Sequence, residues 1–218
     1  MSVAEENYLK SIYKLAEAEP GVGVSTNRIA AALDTRAASV TDMLRRLAEK
    51  ELLEYEKYRG VRLTAEGQRR ALLTIRKHRL WEVFLVQQLG FSWDEVHDVA
   101  EQLEHVQSPL LMRRLDEFLN FPTLDPHGDP IPTEDGAMRR PAQRLLIELA
   151  VGDKGRLVAV RDTSAPFLQY LDKVGLPLGA QVKVLDKIAF DNSLEVRINN
   201  ERTALISAEV GRNLFITD

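Results

Sequence analysis

The chain has 218 residues, 28% of them charged and 44% hydrophobic, with a formal net charge of −4 and no cysteine. Such a chain can build two or three small domains, each with its own core. It excludes a disulfide framework and a thiolate metal site, and no apolar run approaches the roughly 20 residues that a bilayer requires.

Charge is unevenly spread. Residues 1–80 carry 15 Lys and Arg against 11 Asp and Glu, whereas 81–218 carry 14 against 22. A basic head on an acidic body is what a nucleic-acid-binding protein shows. The start, Met1-Ser2-Val3-Ala4-Glu5-Glu6, is acidic and lacks the apolar run of an export signal, so a cytoplasmic location is expected.

The first predicted element is a helix over 3–18, with Tyr8, Leu9, Ile12, Tyr13 and Leu15 on its apolar face and Pro20-Gly21 ending it. Ser25 or Thr26 caps a short helix through Leu33. A turn at Asp34-Thr35-Arg36 leads into a second helix from about Ala37 to Lys50. That helix buries Val40, Met43, Leu44 and Leu47 and turns Ser39, Asp42, Arg45, Arg46 and Glu49 outward. Two strand-like runs, Leu52–Tyr55 and Val61–Leu63, flank a turn at which Gly60 can take positive φ. The order is that of a winged helix-turn-helix, whose second helix enters the major groove. Ala38, Ser39, Thr41 and Asp42 are the candidates for base edges. Arg45 and Arg46, with Lys57, Arg59 and Arg62 on the wing, are candidates for phosphates. A three-helix unit with an ordinary solvated hairpin is the plainer alternative.

Thr64 caps a long helix from about Ala65 to Leu89, closed by Gly90. Two more helices follow between Phe91 and Asn120, the first capped by Ser92 and the second opened by Ser108-Pro109. Leu110, Leu111, Leu115, Phe118 and Leu119 make a broad apolar stripe, either core or the face of a homodimer that reads palindromic DNA. Three of the four histidines fall in this region beside carboxylates: His78 with Glu82, His97 with Glu101, and His105 with Glu104. Glu101, Glu104 and His105, at i, i+3 and i+4, point at one spot. Oxygen and imidazole donors without thiolate suit manganese, ferrous iron or zinc.

Residues 121–141 hold five prolines and two glycines and read as a linker or extended loop containing Asp125-Pro126-His127. Beyond it come five short alternating runs, interrupted by a helical segment at Phe167–Val174, which predict a small β-barrel. No Ser/His/Asp arrangement, phosphate-cradling glycine loop or His-Glu-x-x-His motif is present, which argues against an enzyme. A metal-dependent hydrolase built on the His/Glu set is the alternative of another class.

Several stretches in order carry a resemblance. They are Arg76-Lys77-His78-Arg79-Leu80 with Glu82-Val83-Phe84-Leu85, then Val96-His97-Asp98, Leu103-Glu104-His105-Val106, Pro126-His127-Gly128 and Ile131-Pro132. The pattern resembles the diphtheria-toxin-repressor family of metal-dependent transcription regulators, above all its manganese-responsive three-domain members. Residues 149–216 are similar to the SH3-like domain of a small ferrous-transport accessory protein.

The resemblance implies three domains: a winged helix-turn-helix over 1–72, a helical metal-binding and dimerisation domain over 73–141, and an SH3-like domain over 142–218. It implies a repressor of metal-uptake genes, acting as a homodimer on palindromic operator DNA. Its primary metal site would be Glu101, Glu104 and His105 with Asn7, at a position where relatives carry Asp or Met. Two arrangements of a second site stand open: Glu82, Asp125 and His127 with Asp162, or His78, Glu82 and His97. Glu101 stands where iron-responsive members usually have cysteine, which favours Mn²⁺. Fe²⁺ is the alternative, and Co²⁺, Zn²⁺ or Cd²⁺ would be accepted in vitro. A winged-helix regulator sensing iron or a non-metal signal is the nearest rival. In the metal-bound form Asn7 would hold the first helix against the Glu101 cluster. Without metal, those polar groups would repel or hydrate and leave the head loose.

Overall fold

A computed structural model describes residues 1–56, 60–138 and 142–217. They form two compact units. One comprises Met1–Trp81, Glu101–Phe118 and Ile131–Met138, and the other Glu82–Ala100, Leu119–Pro130 and Arg139–Asp218. Residues of the expected helical domain, 73–141, therefore fall in both.

In the first unit, α1 (Val3–Ala18) starts at a capping box not read from the sequence: Glu5 N–H donates to Ser2 Oγ, and Ser2 N–H to the Glu5 carboxylate. Ser25 Oγ caps α2 (Thr26–Ala32) by accepting from Arg28 N–H, and α3 (Ala37–Glu49) follows after a left-handed residue at Asp34. The apolar period of α3 places Val40, Leu44 and Leu47 inside, against Leu9 and Ile12 of α1 and Ile29 of α2. Strands β1 (Leu53–Glu56) and β2 (Gly60–Leu63) pair antiparallel from Leu53↔Leu63 to Glu56↔Gly60. Val24 adds a bridge to Val61. A Cβ at Gly60 would lie 2.5 Å from the Val24 carbonyl oxygen at φ +89°, so the wing is closed by a residue that only glycine fits. The winged helix-turn-helix expected from the sequence is thus the architecture observed, but Lys57 and Arg59 lie outside the described residues.

Thr64 Oγ1 accepts from Gly67 N–H at the start of α4 (Ala65–Leu89). Arg76 of α4 bonds Asp116 of α6 (Pro109–Phe118) at 2.6 Å and the Pro132 carbonyl at 2.7 Å, fixing both to the first unit. On α6, Leu115 is buried while Leu110, Leu111 and Phe118 are exposed. Between them, α5 (Val96–Leu103) begins three residues later than a helix capped by Ser92 would, because Ser92 is spent on a turn with Glu95.

The second unit is built on an antiparallel sheet. Its strands are β3 (Arg144–Leu145), β4 (Lys154–Val160), β5 (Gln181–Lys187), β6 (Leu194–Ile198), β7 (Arg202–Ile206) and β8 (Leu214–Thr217), in the order β3-β8-β4-β5-β6-β7. Helix α7 (Ala165–Val174) seats Leu168 and Leu171 in its core, and a single turn, α8 (Ala208–Gly211), precedes β8. All five expected strands are present. The expected barrel is not closed. Among the described residues β3 and β7 are outer strands paired on one side only, since β3 offers two residues, too short a ladder to join β7. Irregularities in β4 and β5 curve the sheet without completing the ring.

Candidate metal centre

Within the first unit, α1 presents Glu6, Asn7 and Lys10, one helical turn apart on one face. Helix α4 adds Lys77 and His78, and α5 ends with Glu101 on its last turn. Glu104 and His105 lie not on the helix but in the turn immediately after Leu103, still stacked over Glu101. Glu6, Lys10, His78 and Glu104 are all buried, Glu104 completely.

The contacts sort the two edges of Glu104. Its Oε2 accepts from Lys10 Nζ at 2.6 Å and lies 2.7 Å from His78 Nδ1. The same ammonium reaches Glu101 Oε2 at 2.7 Å. The opposite oxygen, Glu104 Oε1, is buried with no hydrogen-bond partner, as is Asn7 Oδ1. His105 Nε2 lies 3.7 Å from that Oε1. His105 Nδ1 sits 2.6 Å from Glu6 Oε2. A carboxylate only accepts, so Nδ1 carries the hydrogen there, and a neutral ring turns its Nε2 lone pair toward Glu104. Glu6 is itself held by Gln107 Nε2 at 2.8 Å and Lys77 Nζ at 3.6 Å.

Two oxygens buried without donors cost about 1–3 kcal/mol each. A divalent cation between Glu104 Oε1 and His105 Nε2 would satisfy the first of them and meet an imidazole whose far nitrogen is already fixed by a carboxylate, the usual support of a ligating histidine, and Asn7 Oδ1, on the helix that Lys10 ties to Glu104, is a further oxygen donor. The donor set fits a hard or borderline divalent ion. Sequence reasoning missed Glu6 and Lys10. Lys10 falls between the apolar positions Leu9 and Ile12, and Glu6 stands one residue before the candidate ligand Asn7. The signal was available: both share a helical face with Asn7, where a buried Lys needs a counter-charge.

In the second unit, Glu82, Asp125 and His127 are buried and offer ligand atoms within 4.8 Å of one another. Asp125 Oδ1 accepts from His127 N–H at 2.8 Å and Asp129 N–H at 2.9 Å, so the loop is closed on its own carboxylate. Gly128, at φ +86°, packs where a Cβ would meet the Val158 carbonyl oxygen at 1.7 Å, and Val160 N–H donates to the His127 carbonyl. His127 Nε2 donates to the Trp93 carbonyl at 2.7 Å, which leaves Nδ1 facing Glu82 Oε1 at 3.8 Å and Asp125 Oδ1 at 4.0 Å. Trp93 also stacks on the ring and reaches Asp172 of α7.

His97 Nδ1 lies 3.4 Å from Glu82 Oε1, with its side chain 45% exposed. The rival set of His78, Glu82 and His97 is assembled within neither unit, since His78 belongs to the first. Asp162 does not join Glu82, Asp125 and His127. Its Oδ1 accepts from Ser164 N–H ahead of α7, so that carboxylate is occupied in opening the helix.

Of the candidate DNA contacts, Ala38, Ser39, Thr41, Asp42, Arg45 and Arg46 are all exposed along α3. Thr41 Oγ1 bonds back to the Ala37 carbonyl, and Arg62 donates to the Gly21 carbonyl at 2.8 Å, so its guanidinium is held against the chain at one nitrogen.

Three family models match in series: "Iron dependent repressor, N-terminal DNA binding domain" over residues 1–61, "Iron dependent repressor, metal binding and dimerisation domain" over 64–133, and "FeoA domain" over 144–218. The diphtheria toxin repressor of Corynebacterium glutamicum is 31% identical over 192 residues, 84% of this chain and 83% of that protein. The chain belongs to the diphtheria-toxin-repressor family. The iron-dependent repressor IdeR of Mycobacterium tuberculosis is 40% identical over 147 residues, 67% of this chain but only 58% of that family member, so the match covers less than two thirds of its length. Among solved family structures, a manganese-dependent transcriptional repressor in complex with manganese superposes with a TM-score of 0.86 at 36% identity, covering 98% of this chain and 99% of that one. ScaR with bound Cd²⁺ superposes with a TM-score of 0.79 at 29% identity, covering 98% and 99%. The named relatives are repressors, not enzymes. No helix among the described residues is long and apolar enough to cross a membrane.

Proposed function

We propose that this chain is a metal-dependent repressor that binds palindromic operator DNA as a homodimer, with Mn²⁺ as its physiological corepressor. The observation that carries the reading is the pair of buried, unpartnered oxygens, Asn7 Oδ1 on α1 and Glu104 Oε1, the latter 3.7 Å from His105 Nε2, in a chain without any thiolate. Asn7, Glu104 and His105 would hold the primary ion, with Glu101 of the expected set held beside it by Lys10, and Glu82, Asp125 and His127 a second. Fe²⁺ is the alternative, and Co²⁺, Zn²⁺ and Cd²⁺ fit the same donors in vitro. The ion would supply positive charge that draws Asn7 of α1 toward the carboxylate and imidazole after α5. Asn7 and Leu9 share α1, and Leu9 packs in the core with Val40 and Leu44 of α3, so a fixed α1 fixes the recognition helix. The exposed Leu110, Leu111 and Phe118 of α6 form the two-fold face that sets two such helices about 34 Å apart. The regulated genes are those of metal uptake, and such a regulator works in the cytoplasm.

The test is operator binding followed by fluorescence anisotropy as Mn²⁺ is added and then chelated. A coupling of about 1–3 kcal/mol gives a rise of about 5- to 150-fold in affinity, reversed by chelator. Affinity indifferent to both would contradict the proposal. The Arg45→Ala/Arg46→Ala variant should weaken binding to all sequences alike and lower the salt slope by about 1 for each phosphate it no longer neutralises. A change confined to one base position, measured with substituted operators, would instead make these residues readers of bases.

A further inference from the structure

Lys10 occupies the centre of an additional donor set. Its ammonium is buried, 2.7 Å from Glu101 Oε2 and 2.6 Å from Glu104 Oε2. His78 Nδ1 is 2.7 Å from that Glu104 oxygen and 3.8 Å from that Glu101 oxygen. Lys10 Nζ thus stands between two carboxylate oxygens, and an imidazole nitrogen lies within 3.8 Å of both of those oxygens. Such a group of donors would otherwise suit a divalent ion in its own right. On the other edge of Glu104, Oε1 lies 3.7 Å from His105 Nε2, and Asn7 Oδ1 of α1 is likewise buried without a partner.

We propose that Lys10 is a tethered cation that fills one half of this cluster and limits it to a single divalent ion. The inference rests on the reading of the cluster as a metal site and adds its stoichiometry and the residue that sets it. Three features favour it. The ammonium is supplied by α1 itself, so it is present at fixed concentration and needs no uptake from solution. Its charge is compact and two of its three donors meet Glu101 and Glu104 at the end of a flexible stem, which lets it stand between two carboxylates as an ion would. Removing it would leave Glu101 and Glu104 adjacent beside His78 without the ammonium that bonds both carboxylates, which favours protonation or the uptake of a cation in its place. Lys10 also changes the expectation for the metal-free state. The groups around Glu104 do not simply repel, because α1 already reaches Glu101 and Glu104 through Lys10. Glu6 of α1 already holds His105 and Gln107 as well, so metal adds Asn7 to links that exist without it.

The experiment counts Mn²⁺ bound per full-length chain by EPR of the free ion and looks at low temperature for exchange coupling between bound ions. The wild type, Lys10→Met, Lys10→Arg and His105→Ala are compared, each checked for folding by circular dichroism. Lys10→Met removes the charge at similar length and should bind one more ion per chain than the wild type, with an exchange-coupled signal. Lys10→Arg should keep the wild-type count and show no coupling. Any ion held by Glu82, Asp125 and His127 contributes equally to both sides of the comparison. A coupled pair in the wild type would overturn the inference without reference to any variant, as would an unchanged count in folded Lys10→Met. If His105→Ala loses no ion relative to the wild type, the reading of the cluster as a metal site fails instead.

Discussion

Changing Glu104 to alanine should abolish the response of operator binding to Mn²⁺ while leaving the chain folded. Both oxygens matter, in different ways. Oε1 is one of the two buried acceptors without a partner, so its removal takes a ligand from the proposed ion. Oε2 holds Lys10 and stands beside His78, so its removal leaves a buried ammonium with Glu101 alone. Breaking a buried ion pair costs about 3–5 kcal/mol. Two effects reduce that figure here. Glu101 still reaches Lys10 at 2.7 Å, and the wild type already carries the penalty of an unsatisfied Oε1, about 1–3 kcal/mol, which the variant escapes. The net loss in metal-free protein should be about 1–2 kcal/mol, measured by urea denaturation. The wild type gains about 2.7 kcal/mol when Mn²⁺ reaches 100 times its dissociation constant, and the variant should forfeit the share of that gain that this site provides. Operator affinity that still rises with Mn²⁺ as in the wild type would show that the ligand is elsewhere.

The second large effect is expected at a residue with no functional group. Gly128→Ala puts a Cβ 1.7 Å from the Val158 carbonyl oxygen and 2.5 Å from Ala159 Cα, at a φ of +86° that alanine adopts only with strain. The obstacle is backbone of β4, which cannot rotate away as a side chain could. Either the loop lifts from the strand or β4 bends, at a cost of about 3 kcal/mol by analogy with other overpacked sites. Lifting would break the bond from Val160 N–H to the His127 carbonyl and carry His127 away from Glu82. The variant should therefore lose an ion from the Glu82, Asp125 and His127 cluster while keeping the one near Glu104. Unchanged stability and metal content would show that the loop has another way to seat itself.

Local signals made most of the architecture legible. Apolar spacing at Val40, Leu44 and Leu47 identified the recognition helix, Thr64 and Gly90 bounded α4, and Ser108-Pro109 opened α6. The five alternating runs located five strands. What failed depended on partners distant in sequence. Whether a sheet closes is decided by pairing between its outermost strands, and no local pattern shows that a two-residue β3 stops short of β7. Ser92 could cap a helix or a turn, and its bond to Glu95 chose the turn. The candidate triplet Glu101, Glu104 and His105 stood out because its spacing is helical. Lys10 and Glu6 did not, because their partners lie 71 to 101 residues away. Asp162 fitted the resemblance, yet its carboxylate is engaged locally by Ser164.

The most direct test of the account is an anomalous difference map from a crystal of the full-length chain grown with Mn²⁺, with data on both sides of the manganese edge. The account predicts one manganese peak in the Glu104 cluster, bonded to Asn7 Oδ1, Glu104 Oε1 and His105 Nε2, with Lys10 still on Glu101 and Glu104. A cluster without a peak at saturating Mn²⁺, or one whose ion makes no bond to α1, would contradict it.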